Sequence, residues 1–375
     1  ILLFSLSCNN SETKKYTIGF SQTGINDEWR KSMNQAMKIQ AAFYPGIELK
    51  ILEGQDDVKD QIKDIEQLIG ENIDVLIVSP VQATPITPIV EKAFKKGIPV
   101  LIVDRKINGE NYTAYLGADN YQVGANAANY LASLTTESKN IIEIKGLLGS
   151  SPASERSSGF NNVINAIPNL SVVNRIQGNW ESYSIKDSLS KTLDSIKNVD
   201  YIFAHNDRMA LGAWEVLKEK GLEKSIKIIG VDGLNGPNGG IKLVQDEVLM
   251  STILYPTGGE EAIKLAVKIL NGETVAKKNI LGTTVIDSRN ADILKNQFDK
   301  ITQQQNDIEK QQDKIQLQEK TYSTQSNRLK VLLGLLITSL LLAGYSIYSA
   351  YNIKKKKREL EIRNNKITIQ RNQIK

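Results

Sequence analysis

The chain has 375 residues, 24% of them charged and 41% hydrophobic, a balance that suits a globular protein large enough for two lobes. Its formal charge of +5 is supplied by one short basic run late in the chain and does not mark a nucleic-acid surface. One cysteine and one histidine exclude an internal disulfide framework and a cysteine-built zinc site, and leave little room for a metal site or a Ser-His-Asp triad.

The chain opens on Ile-Leu-Leu-Phe-Ser-Leu-Ser-Cys without a starting Met. An apolar run followed by small residues looks like the tail of an export signal. Leu6-Ser7-Cys8-Asn9 also resembles a lipoprotein processing site, in which Cys8 would carry a lipid; an ordinary signal remnant with an incidental Cys8 is the other reading. Residues 1–14 are therefore expected to be a signal or lipoprotein remnant.

From Tyr16 to about Asp287 a short β-rich run, a turn and an amphipathic helical stretch recur. The predicted strands are 16–20, 48–52, 75–78, 100–103, 141–145, 172–177, 201–204, 226–231 and 250–254. Helical stretches between them include 29–42, 58–71, 120–134, 208–220 and 258–270. Apolar runs alternating with helices indicate parallel sheets covered on both faces. So many strands exceed one tidy sheet, and the pattern predicts an α/β fold of two doubly wound lobes.

In such lobes ligands bind beyond the carboxyl ends of the strands. The first predicted strand leads to Trp29-Arg30, the fourth to Asp104-Arg105, and the fifth through a Gly/Ser-rich loop to Glu155-Arg156. Further on, residues 201–204 lead into His205-Asn206-Asp207 and residues 226–231 into Asp232-Gly233. Carboxylates as acceptors, with Arg and Asn as donors, suit a small polyhydroxylated ligand whose hydroxyls both donate and accept. Hydrogen bonds to charged groups contribute about 1.5–3 kcal/mol each, so a handful suffices for micromolar binding, about −8 kcal/mol, after association costs. Trp29 and Trp180 would stack on the C–H faces of a sugar ring.

Plainer readings stand beside these. Trp29 can be core, Asp104-Arg105 a local ion pair, and Asn206-Asp207 a helix cap. Asp232 can be a turn residue and Arg156 a solvated helix charge, while His205 reads as a loop or packing residue rather than a ligand contact.

Taken in order, the motifs resemble those of the ribose/galactose-type periplasmic sugar-binding proteins, and among these the galactofuranose-binding branch. They are Ile18-Gly19-Phe20-Ser21-Gln22 with Trp29-Arg30, Glu53-Gly54-Gln55, Ser79-Pro80-Val81 with Ala83-Thr84, and Val103-Asp104-Arg105. Then follow Arg156 with Gly159-Phe160, Ala204-His205-Asn206-Asp207 with Met209 and Gly212-Ala213, and Val231-Asp232-Gly233. The resemblance implies a type I periplasmic-binding-protein fold, two Rossmann-like lobes joined by three crossovers, over residues 15–290. Lobe 1 would comprise about 15–118 and 254–287, and lobe 2 about 119–253. It also implies a monosaccharide ligand, with Asp104, Arg105, Arg156, Asn206 and Asp232 on its hydroxyls, Trp29 and Trp180 on its ring, and Arg30 matched within the Trp-Arg pair. Ribose binders carry a ligand-contacting Gln on the last crossover where this chain reads Thr252-Ile253-Leu254-Tyr255-Pro256, so Tyr255 is the expected substitute. The Trp29-Arg30 pair points to a five-membered sugar ring. DNA-binding repressors share this fold but need a helix-turn-helix before it, where this chain has the signal-like remnant; no nucleic-acid partner is expected of this part of the chain.

Beyond the lobes Leu294, Ile301, Ile308, Ile315, Tyr322 and Leu329 fall seven residues apart, and Gln297, Gln304, Gln311, Gln318 and Gln325 stand three residues after the first five. One apolar and one Gln position per heptad predicts a coiled coil with a weak seam over 291–329, and with it a homodimer; a solvated helix or Gln-rich linker is the alternative. Residues 331–353 carry no formal charge, and about 20 such residues cross a hydrocarbon core of about 30 Å. A transmembrane helix is therefore expected over 330–353. Lys354-Lys355-Lys356-Lys357-Arg358 follow it, against Arg328 and Lys330 before it, and Tyr345, Tyr348 and Tyr351 stand near its end. That asymmetry predicts a single-pass protein of the bacterial inner membrane with its N-terminal domain periplasmic.

Leu360, Ile367 and Ile374 again step by seven, so residues 354–375 read as the start of a cytoplasmic coiled coil with an output domain expected beyond it. Such fusions resemble sensor histidine kinases, notably hybrid two-component regulators of carbohydrate use. The chain shows no ATP-binding loop and no phospho-accepting His on a cytoplasmic helix, so no catalysis and no cofactor are expected of it. Competing readings are a binding protein for a sugar importer, a sensor of another small polar molecule, and a glycosidase using Glu155 and Asp232.

Overall fold

The computed structural model describes residues 15–373; the expected remnant with Cys8, and Ile374 of the last heptad, lie outside the described residues. In chain order the strands are β1 (Tyr16–Gln22), β2 (Ile47–Glu53), β3 (Val75–Val78), β4 (Val100–Val103), β5 (Ala114–Ala118) and β6 (Lys139–Lys145), then β7 (Leu170–Gln177), β8 (Tyr201–Ala204), β9 (Lys227–Asp232), β10 (Ser251–Leu254), β11 (Lys278–Leu281) and β12 (Val285–Asp287). The helices are α1 (Glu28–Ala41), α2 (Val58–Gly70), α3 (Ala83–Lys95), α4 (Asn120–Leu134) and α5 (Ser151–Ile164), then α6 (Lys186–Ser195), α7 (Asp207–Glu219), α8 (Gly240–Gln245), α9 (Gly259–Leu270) and α10 (Ala291–Gln373).

Local chemistry sets where these elements begin. Asp27, Asp57, Asp119 and Asn206 each precede a helix in extended conformation and accept a hydrogen bond from its first turn, which satisfies backbone donors that have no partner inside the helix. β3 and β4 are both Val-Leu-Ile-Val and wholly buried. Such two-faced apolar runs belong in the middle of a parallel sheet.

Among the described residues there are two six-stranded sheets, ordered β11-β5-β4-β3-β1-β2 and β12-β10-β9-β8-β6-β7. Every pairing is parallel except β10 with β12. The chain passes from the first lobe to the second after β5, returns after β10, and crosses again after β11. The third crossover corrects one expected boundary. Residues 285–287 were expected in lobe 1, yet Val285–Asp287 pair with β10 in the second sheet, where Ile286 is fully buried. One buried cluster unites residues of both lobes, from Phe20 and Leu101 to Phe203 and Tyr255, and each lobe has a further cluster of its own.

The first turns of α10 belong with the lobed unit, which ends at Asn306, and residues from Asp307 form a second unit. Among the described residues α10 alone is long and apolar enough to cross a membrane, with a mean hydropathy of 2.0 over its most apolar window. The large apolar side chains between Val331 and Ile353 are exposed.

Candidate functional site

The carboxyl ends of β1, β4, β7, β8, β9 and β10 converge on one cavity of about 570 Å³. Trp29, Arg30, Asp104, Arg105, Arg156, Trp180, Asn206, Asp232 and Tyr255 all line it. Parallel strands point their carboxyl ends the same way, so each βα turn delivers its first polar residues to one rim.

On the first lobe the centre is Asp104, directly after β4. It is buried and holds a left-handed backbone, φ 60°. Its carboxylate accepts a hydrogen bond from the Tyr255 hydroxyl at 3.0 Å and faces Arg30 at 3.6 Å and Arg105 at 3.8 Å. Arg30 Nη1 donates to Gln22 Oε1 at 2.8 Å, and its Nε lies 3.3 Å from Asp27. Arg105 Nη1 donates to the Val81 carbonyl at 2.9 Å. Burial, with Arg30 adding a like charge, pulls the Arg105 guanidinium down to about 10; it remains cationic at neutral pH. Both arginines are thus held by protein on one side while they line the cavity.

The aromatic walls come from both lobes. Trp29 donates its indole N–H to the Tyr255 carbonyl at 2.9 Å, with the two rings 5.7 Å apart. Trp29 is therefore both core and cleft wall. Trp180 follows β7 with φ 78° and lies over Gly146, where a Cβ would come within 2.0 Å of its ring. The Arg105 and Arg156 guanidiniums each stand 5.7 Å from its centroid, within reach of the ring's electrostatic attraction for cations. Among the described residues no acceptor reaches the buried Trp180 indole N–H.

Arg156 projects from α5, which is fixed by a backbone-close crossing with α4. A Cβ at Gly124 would meet the Arg156 carbonyl oxygen at 2.0 Å, and one at Gly159 would meet that of Tyr121 at 1.9 Å. The guanidinium donates to Asn120 Oδ1 at 2.9 Å and to the His205 carbonyl, and stands 4.5 Å over the Tyr255 ring. Asn206 has two jobs. Its Oδ1 caps α7 by accepting from Met209 N, while its Nδ2 donates to the Trp180 carbonyl at 2.9 Å.

Asp232 ends β9 at φ 126° and lines the cavity, and among the described residues no donor reaches its carboxylate. Burial and the neighbouring Asp207 push that carboxyl well above its ordinary value. Burial also lifts Asp207, to about 7, although it accepts from Gly233 N at 2.8 Å and Thr252 Oγ1 at 2.7 Å. A ligand hydroxyl donating to Asp232 would supply what the protein leaves out.

His205 is a packing residue, as expected. It is fully buried, and its Nε2 lies 3.1 Å from Glu143. Burial opposes ionisation of Glu143, but its hydrogen bonds with His205, Asn161 and Ser157 outweigh that and bring it to about 2. Burial lowers His205, and its Nδ1 lies 3.4 Å from Gly146 N. Glu155 does not line the cavity; it pairs across the cleft with Lys106 at 2.8 Å.

Sequence reasoning missed Asp207 beneath the floor and the loop Leu234-Asn235-Gly236-Pro237-Asn238 at the rim. The loop had a legible signal, since Gly/Pro/Asn directly after a strand marks a turn at the ligand-facing end. Asp207 shared the strand-end signal of Asn206 but read beside it as part of a helix cap.

Two parallel-sheet lobes closing a polar, aromatic-walled cleft define a type I periplasmic-binding fold. The chain belongs to the periplasmic binding protein family, whose domain model matches residues 18–274. It is 30% identical to the ribose import binding protein RbsB of Bacillus subtilis, over 72% of this chain and 86% of the relative. It is 31% identical to the galactofuranose-binding protein YtfQ of Escherichia coli, over 58% and 71%. Among solved structures it superposes on the fructose-binding periplasmic domain of a hybrid two-component system with a TM-score of 0.78 and 38% identity, covering 80% of this chain and 99% of that one.

Proposed function

We propose that this chain is the sensing part of a membrane-bound signalling receptor, which binds a monosaccharide in furanose form between its lobes and passes lobe closure to α10. The observation that carries the reading is the convergence of Asp104, Arg105, Arg156, Asn206 and Asp232 on one cavity walled by Trp29 and Trp180. It brings carboxylate acceptors together with Arg and Asn donors, as the hydroxyls of a sugar require. Likeness to a galactofuranose binder and to a fructose-binding domain supports a sugar able to adopt a five-membered ring.

Likeness to a domain of a two-component system and the charge-free stretch of α10 support the signalling half. The basic run after that stretch supports a cytoplasmic C-terminus with the lobes in the periplasm. In this reading the exposed heptad positions of α10 pair in a homodimer, the cleft serves binding alone with no catalytic group and no cofactor, and a kinase-type output follows. A ligand shifts such a receptor only by its differential affinity for open and closed states.

The test is cysteine cross-linking at Ile315 and Tyr322 in a Cys8→Ser background, in membranes, with and without D-fructose. Cross-links whose yield changes with sugar support the receptor. Sugar binding without any cross-link would support the second reading, a binding protein for an importer, which the ribose import relative favours.

A further inference from the structure

The loop between β9 and α8, residues 233–239, touches both the cleft and the base of α10. On the cleft side it follows Asp232 directly, lines the cavity through Leu234 and Asn235, and is anchored by the Gly233 N–H on Asp207 at 2.8 Å. On the other side Asn235 Nδ2 donates to Asp299 Oδ1 at 2.7 Å. Helix α8 follows at once. Its Ile241 and Val244 are buried in the cluster against which Leu294 and Phe298 of α10 pack, and Gln245 Nε2 donates to Asp292 Oδ1 at 2.6 Å. The loop has no slack where α8 begins: a Cβ at Gly239 would meet the Leu234 carbonyl oxygen at 2.3 Å, and one at Gly240 would meet Asp207 Oδ2 at 2.0 Å.

We propose that this loop and α8 form a relay tying occupancy of the cleft to the first turns of α10, with the Asn235–Asp299 hydrogen bond as its direct link. The inference rests on the receptor reading above and gives it a residue-level route. A ligand hydroxyl on Asp232 acts one peptide bond from Gly233, and the tightly held loop carries any displacement to Asn235. Coupling between two sites is reciprocal, so loosening the link at Asp299, outside the cleft, must be felt inside it.

The test is hydrogen exchange on the full chain in lipid nanodiscs, comparing wild type, Asp299→Ala and Lys295→Ala. Lys295 pairs with the other oxygen of Asp299 but does not line the cleft, so it controls for simple loss of surface charge. Without sugar, Asp299→Ala should speed amide exchange in 233–239 by about threefold or more, and Lys295→Ala should not. With D-fructose, wild type should gain protection in 291–300, and Asp299→Ala should lose that gain and bind about three- to tenfold more weakly. Unchanged loop exchange in Asp299→Ala, or equal effects of the two substitutions, would overturn the relay. If D-fructose leaves the wild-type cleft amides unaffected, sensing of that sugar fails, while the sugar-free comparison still decides the relay.

Discussion

Tyr255 and Asp104 meet through a 3.0 Å hydrogen bond between the phenol hydroxyl and the carboxylate. The same hydroxyl accepts from Asn120 Nδ2 at 3.0 Å, so its proton is committed to Asp104. The return from the second sheet after β10 is thereby tied to the first lobe's central carboxylate, and the Tyr255 ring contacts both Trp29 and Arg156.

Tyr255→Phe keeps both ring contacts and removes that link. Asn120 and Asp104 each lose a buried partner, and stability should fall by about 1–2 kcal/mol. Sugar affinity should fall about tenfold, since Asp104 is no longer oriented. Denaturant unfolding and calorimetric titration of the variant measure the two effects; wild-type affinity would show that the phenol is only structural.

Gly146→Ala places a methyl where the Trp180 ring now lies, 2.0 Å away. The indole must swing off the cleft wall. Loss of a stacking aromatic costs about 1 kcal/mol, so affinity should weaken roughly fivefold with little change in melting temperature. An unchanged affinity would remove Trp180 from the binding account.

Gly159→Ala tests the α4–α5 crossing. Its Cβ would press on the Tyr121 carbonyl, and backbone cannot yield as a side chain does. A destabilisation of about 1–3 kcal/mol is expected, together with weaker sugar binding because Arg156 moves with α5. Intact stability would mean that the helices can separate without cost.

The pH dependence has a definite sign. In the native chain burial lifts Asp207 to about 7 and lifts Asp232 as well, whereas both ionise near pH 4 when unfolded. Between about pH 4 and 7 the native state holds more protons, so this pair's contribution to stability falls as pH rises. Asp232→Asn removes one member and should flatten the melting temperature across that window relative to wild type. Parallel profiles would contradict the assignment.

The sequence made the centre of the fold legible and its edges obscure. Val-Leu-Ile-Val at β3 and β4, short, β-branched and bounded by turn residues, reads as buried strand, and the rule that ligands sit beyond strand ends then points to Asp104, Asn206 and Asp232. β5 escaped because Ala-Tyr-Leu-Gly-Ala is small and lacks β-branched residues. β11 and β12 are short, and each gains its place from a partner strand rather than from its own pattern. The third crossover was misplaced for the same reason. Within the site, Asn206 proved to be both helix cap and cleft residue, so the plain reading and the functional one were not alternatives. The Asn235–Asp299 contact joins residues distant in sequence through exposed side chains, for which periodicity gives no signal.

The most direct test of sugar recognition is calorimetric and thermal titration of the full chain with a panel of monosaccharides, D-fructose and galactofuranose included, beside Asp104→Ala. At a hundredfold excess over Kd a bound sugar stabilises the domain by about 2.7 kcal/mol. Such a shift is expected with at least one furanose-forming sugar in wild type and not in Asp104→Ala. A shift of equal size in the variant, or none with any sugar in wild type, would contradict it.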